Sequence, residues 1–234
     1  MAARDDVRFP GESAEYRAAR DELLDAEVEL RRRIADVAAQ RAQLPLGGEV
    51  PSDYAFEEWD ADAAAPRTVR LSELFADGSD TLFLYSFMFV PESQGLGFEG
   101  PCPSCTAIID GMDGQVPHIT QRVNFAVASK GPIERFRDHG KARGWRNVRL
   151  LSSAGNTYNV DYRSEDANGG QWPLATVFVR RDGRLHHFWS SELWLAPRDA
   201  GQDPRHVDFM WPLWSVFDRT PDGRGDFHPS LDYS

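Results

Sequence analysis

Residues 81–89, TLFLYSFMF, form an almost unbroken apolar run. It is of the kind that a strand shows when sheet neighbours and covering layers bury it on both faces. Even extended to Val90 it is too short to cross a bilayer as a helix. Beyond it the chain alternates regularly. A helix reads from about Cys102 to Gly111, and VNFAVAS at 123–129 is a second buried strand. PIERFRDHGKARG at 132–144 is a helix with Pro132 near its first turn and Gly144 near its end. NVRLLSS at 147–153 is a third, short strand. Strand, helix, strand, helix, strand is the pattern of an open α/β unit with at least partly parallel pairing.

The flanks read differently. Residues 12–44 form one long helix in which Leu23, Leu30, Val37 and Leu44 recur every seventh position among many Glu and Arg. Pro45, Gly47 and Gly48 stop it. It is either a helix packed on the main body or a dimerisation arm. The expected division is a helical extension over 1–48 and a main domain over 49–234. Short extended stretches lie around YAFEEW and TVRL, and LSELF at 71–75 is a helical turn. Further on, LATVFVRRDGRLHHFWSS places two strands around Asp182-Gly183, the strongest local hairpin signal. WPLW at 211–214 reads as a packing plug.

Composition narrows the function. The 234 residues carry 37 Asp plus Glu against 26 Lys plus Arg, a formal charge of -11. Nucleic-acid binding needs clustered cations, so that class is set aside. At 41% hydrophobic the chain has material for an ordinary core. The start, MAARDDVRFP, lacks the apolar stretch of a secretory signal, and no membrane partner is expected. The expectation is a soluble cytoplasmic protein. There, a close cysteine pair is more often redox-active or metal-binding than a static crosslink.

The chain has two cysteines, Cys102 and Cys105, in GPCPSCTAIIDG just after the buried strand and at the start of a helix. A helix N-terminus offers unpaired N–H groups and a positive dipole end, which stabilise a thiolate. Pro103 suits the first turn. Cys102 is therefore the expected nucleophile. Cys105, one turn on, is the resolving thiol. The alternatives are a metal pair, with His118 as a third donor, and an inert disulfide. Glu99, Asp110 and Asp113 lie close in sequence. They would raise a thiol pKa if they face it, and each is a candidate proton relay for the resolving cysteine.

Other features carry less. Gly95, Gly97 and Gly100 spell G-x-G-x-x-G, but they trail the strand and open no helix, so a nucleotide role is not expected. His118, His139, His186, His187, His206 and His228 are scattered, and His186 and His187 point to opposite faces of one strand. Trp145, Trp172, Trp189, Trp194, Trp211 and Trp214 all fall in the second half, mostly as core. Pro173 immediately precedes the strand LATVFVR.

Taken together, YRAARDELLDAEVELRRR at 16–33, YAFE at 54–57, LYSFMF at 84–89, CPSC at 102–105 and HITQRVNFAVASKGPIERF at 118–136 resemble one family. RGWRNVRLLSSAGNTYNVDY at 143–162 and GQDPRHVDFMWPLWSVFDRTPDGRG at 201–225 add to it. It is the thioredoxin-like family catalogued as domain of unknown function 899, described as dithiol–disulfide oxidoreductases. The resemblance implies an α/β, thioredoxin-like three-layer sandwich with a mixed central sheet and a long N-terminal helical extension. It makes Cys102 and Cys105 the dithiol and puts Pro173 at the position of an active-site cis-proline. No cofactor and no metal are implied. Electrons would come from a thiol partner, and a homodimer is compatible with the long helix. The leading expectation is disulfide exchange with a protein or small-molecule partner. Thiol-dependent peroxide reduction is the second reading, and a non-catalytic redox sensor or binding scaffold the third.

Overall fold

The computed structural model describes residues 7–59, 65–76, 78–197, 210–221, 223, 225 and 227–231. His206 and the segment around it lie outside these. The chain divides into two compact units, 1–45 and 46–234.

The first unit is built on α1 (Ala14–Ala42). Ser13 caps it by accepting the Tyr16 amide at 3.1 Å, which satisfies one of the amides that a helix start leaves open. Arg17 is buried, with Asp21 one turn on at 3.1 Å. Of the residues recurring every seventh position, Leu23, Leu30 and Leu44 are exposed and Val37 is half-buried.

The second unit is a mixed α/β structure. In chain order it contains β1 (Ala55–Glu58), β2 (Arg67–Arg70), a 3-10 turn (Leu71–Leu74), β3 (Thr81–Phe87), β4 (Phe89–Val90) and β5 (Gly100–Pro101). Then come α2 (Pro103–Asp113), α3 (Val116–Ile119), β6 (Asn124–Ser129), α4 (Ile133–Arg143), β7 (Leu150–Ser152) and α5 (Tyr158–Asp161). The hairpin β8 (Leu174–Arg181) and β9 (Arg184–Ser190) and the short α6 (Pro212–Phe217) complete it. The main sheet has the order β2-β1-β7-β6-β3-β8-β9. β3, β6 and β7 run parallel, while β8, β9, β1 and β2 join antiparallel. Asp182 and Gly183 make the hairpin turn with φ 51° and 75°, the left-handed pair that a two-residue loop needs. Residues 47–50 run beside β9, with the Gly47 amide on the His187 carbonyl at 3.1 Å.

β3 lies near the middle of the sheet and alternates between two cores. Tyr85 and Phe87 enter one cluster with Ile108, Ile109, Val127 and Phe136. Leu82 and Leu84 enter the other with Phe56, Leu71, Tyr158 and Phe178. The connections β3–α2–β6 and β6–α4–β7 step across the sheet in one direction. Right-handed crossovers then place both helices over the same face, and Ile108 and Phe136 meet there. Within the second unit, the helical elements described on the opposite face are the 3-10 turn and one-turn α5. The layers of the sandwich are thus unequal. The β1–β2 edge, legible in sequence as two extended stretches, joins the sheet through β7.

Candidate functional site

The β3 strand breaks at Met88, and the chain returns through β4 and β5 to deliver Cys102. The Cys102 amide donates to the Met88 carbonyl at 3.1 Å. Gly95, Gly97 and Gly100 in this loop all have positive φ, 67°, 82° and 99°, conformations that side chains resist. Helix α2 opens only at Pro103, so these glycines shape the return loop.

Cys102 stands at the N-cap of α2 with φ -64° and ψ 126°. Thr106 donates both its amide and its hydroxyl to the Cys102 carbonyl, each at 2.9 Å. That locks the first turn around the cysteine. Both thiols are free; Cys102 is 7% exposed and Cys105 1%. Cys102 is lowered to about 7. The largest cause is the Cys105 thiol donating toward it, and the amides of Cys105 and Ser104 and the Ser104 hydroxyl add to this against the opposing effect of burial. Cys105 is pushed well above the ordinary thiol range, first by burial and then by the neighbouring Cys102 sulfur. The Tyr85 phenol, wholly buried on β3, donates to Cys105 Sγ at 3.4 Å. The result is one thiol ready to ionise near neutrality and one held protonated beside it.

The carboxylates near the dithiol in sequence are committed elsewhere. Asp110 is paired with Arg143 and accepts Trp145 Nε1 at 2.7 Å. Asp113 accepts the backbone amides of Arg146, Asn147 and Val148 at 3.1, 2.8 and 3.0 Å, capping the entry to β7. Glu99 is exposed and meets Arg135 at 3.4 Å. His118 is exposed on α3. His139 bonds Thr106 Oγ1 at 3.0 Å, and burial lowers its pKa. Among the described residues no group of three His, Cys, Asp or Glu could hold a metal ion.

Pro173 precedes β8, and the pairing of Leu174 with Ser86 sets it at the end of the sheet from which the Cys102 loop departs. No peptide bond among the described residues is cis, so the bond that enters Pro173 is trans. Proline prefers trans by about 0.5–1 kcal/mol, and this segment is already fixed on both sides. The Trp172 amide donates to the Ser164 carbonyl at 2.9 Å. The buried Gln171 side chain spans the Phe89 amide and carbonyl, both at 2.8 Å. Gln94 returns the arrangement on the Gln171 backbone, at 2.9 and 3.0 Å. This double amide clamp ties the loop before Cys102 to the entry of β8. Two glutamines 77 positions apart carry no sequence signal for it.

Trp211 is buried in the cluster that holds both cysteines, and Met210, Leu213 and Trp214 pack against it. The WPLW segment is therefore the plug its composition suggested. Trp145 and Trp189 border the same cluster, whereas Trp172 is exposed. His186 and His187 bond the Gly47 carbonyl and Ser190 Oγ, structural partners on β9.

A mixed sheet with three parallel strands, a dithiol at the start of the helix that follows β3 and an antiparallel hairpin entered by a proline defines a thioredoxin-like α/β fold. The chain belongs to the family described as bacterial protein of unknown function (DUF899), whose model matches residues 7–233. Comparison with curated proteins found no match. Among solved structures, the chain is similar to AhpC from Enterococcus faecalis, at 10% identity over 74% of this chain and 93% of that one, with a TM-score of 0.45. Peroxidoxin BcpB from Mycobacterium tuberculosis gives 16% identity, 72% and 95% coverage and 0.42. Thioredoxin peroxidase I from Plasmodium yoelii gives 17%, 81% and 99%, and 0.45. No helix among the described residues is long and apolar enough to cross a membrane.

Proposed function

We propose that this protein is a thiol-dependent reductase of small oxidants, hydroperoxides first among them. Cys102 is the nucleophile and Cys105 the resolving thiol. The observation that carries the proposal is the asymmetry of the pair: Cys102 lowered to about 7 beside a Cys105 held protonated. At neutral pH a substantial fraction of Cys102 is thiolate, the reactive form. Its 7% exposure favours a small oxidant over a disulfide displayed on a protein surface.

In the first step the Cys102 thiolate attacks a peroxide oxygen. The S–O bond forms, the O–O bond breaks, and the departing hydroxide or alkoxide takes a proton to leave as water or alcohol. Sulfur is oxidised to the sulfenic acid. In the second step Cys105 attacks that sulfur. An S–S bond forms, and the sulfenic oxygen leaves as water with the Cys105 proton. A thiol reductant then returns the pair to dithiol. Pro173, at the entry of β8, belongs to the proposal as backbone beside the thiols.

Exchange with a small disulfide is a second reading of the same pair, favoured by the C-x-x-C spacing that puts a resolving thiol one turn away. Steady-state turnover with dithiothreitol tests both. Hydrogen peroxide consumption in proportion to protein, lost in Cys102→Ser, is the expected result. Consumption no faster than with dithiothreitol alone would overturn it. A small disulfide reduced well and peroxide reduced poorly would select the second reading.

A further inference from the structure

Cys105 has a task that its surroundings make difficult. It is 1% exposed, and burial holds it protonated, yet it must act as a nucleophile to resolve Cys102. In the reduced protein its thiol donates toward the Cys102 sulfur, the atom it must attack once Cys102 is oxidised. Neither Asp110, Asp113 nor Glu99 is free to assist, since Asp110 and Glu99 are held by arginines and Asp113 by backbone amides. His139, on α4, bonds Thr106. The groups that face Cys105 are Cys102, the Met88 amide and Tyr85.

We infer that Tyr85 is a catalytic residue of the resolving step, its phenol holding Cys105 as the attacking thiolate by hydrogen-bond donation. The inference rests on the dithiol reading proposed for this pair. Its basis is the geometry: a wholly buried hydroxyl on β3 at 3.4 Å from the sulfur, flanked on the same face by Phe83 and Phe87 of the dithiol cluster. A buried tyrosine hydroxyl seeks a partner, and here the partner is the reacting atom. Burial raises the Tyr85 pKa far above the ordinary phenol value, so it remains a donor and does not act as the base. The proton of Cys105 leaves with the sulfenic oxygen as water, and Tyr85 is unchanged at the end. Removing a bond to a charged group is then expected to slow resolution by about tenfold or more.

The test is single turnover of the full chain with hydrogen peroxide, quenched with a sulfenic-acid trap and read by mass spectrometry. It separates formation of the Cys102 sulfenic acid from its conversion to the disulfide. For Tyr85→Phe the expected result is formation within about twofold of wild type and resolution slowed about tenfold or more. The pH–rate profile of resolution should move to higher pH. A purely structural role would not move that profile while leaving the first step intact. Installing 3-fluorotyrosine at position 85, a stronger donor of nearly the same shape, should move the profile to lower pH, and this arm stands even if Tyr85→Phe does not fold. Resolution with an unchanged profile in the folded variants would overturn the inference alone. Failure of wild type to form the disulfide at all would overturn the dithiol reading, and the inference with it.

Discussion

The two faces of the central sheet are built from the same strands and do different things. On the dithiol face, two helices of 11 residues each, α2 and α4, cover the sheet and bring Cys102 and Cys105 into an apolar cluster. On the other face a 3-10 turn and one-turn α5 suffice, because the rings of Tyr54, Phe56, Tyr158, Tyr162 and Phe178 fill the space among themselves. Each face buries a tyrosine of the sheet region completely. Tyr85 donates to a sulfur, while the Tyr158 hydroxyl faces only the hydroxyls of Ser86 and Thr176 among the groups that act on it. The difference teaches that burial alone does not give a polar group a function. What counts is whether the fold aims it at an atom that changes charge.

That contrast can be broken experimentally. The largest effect is expected at the thiols. Cys102→Ser should reduce peroxide consumption to the level of reductant alone, whereas Cys105→Ser without added reductant should consume one equivalent and stop at the sulfenic acid; a stopped-flow peroxide assay distinguishes them. Next come the aromatic cores. Phe87→Ala and Phe178→Ala should each cost about 3–5 kcal/mol in urea unfolding. Only Phe87→Ala, which empties the space beside Phe136 and His139, should also alter the alkylation profile of Cys102.

A third prediction concerns pH. Alkylation of Cys102 should rise with pH and be half-maximal near 7, because the thiolate is the reactive form and its pKa is lowered to about 7. In Cys105→Ser the midpoint should move, since the Cys105 thiol is the largest cause of the lowering; an unmoved midpoint would contradict that assignment. Smaller still, Asp113→Ala should cost about 1–3 kcal/mol by releasing the amides of 146–148, with the Cys102 midpoint unchanged. Least of all, Tyr158→Phe should change stability by about 1 kcal/mol or less and leave both thiol steps at wild-type rates.

Much of this architecture was legible in the sequence because its signals are local. The strand–helix alternation, the Asp182-Gly183 hairpin and the placement of Cys102 before Pro103 all depend on neighbours within a few positions. What escaped depends on distance along the chain. Tyr85 sits 20 positions before Cys105 in a run that reads as plain core, and only its hydroxyl hinted at a need for a partner. Asp110 and Asp113 read as candidates for the thiols because sequence shows proximity but not direction; α2 turns them toward the segment that comes after α4. The Gln94–Gln171 clamp and the trans bond at Pro173 were equally out of reach, since both are set by how two distant loops meet.

The central claim is that Cys102 and Cys105 form one redox centre with a fixed division of labour. Its most direct test is to add one equivalent of hydrogen peroxide to the reduced protein and map the product by mass spectrometry. The expected product is one Cys102–Cys105 disulfide per chain, restored to two thiols by dithiothreitol. Two thiols still free for alkylation, or oxygen retained on Cys102 with Cys105 unreacted, would contradict it.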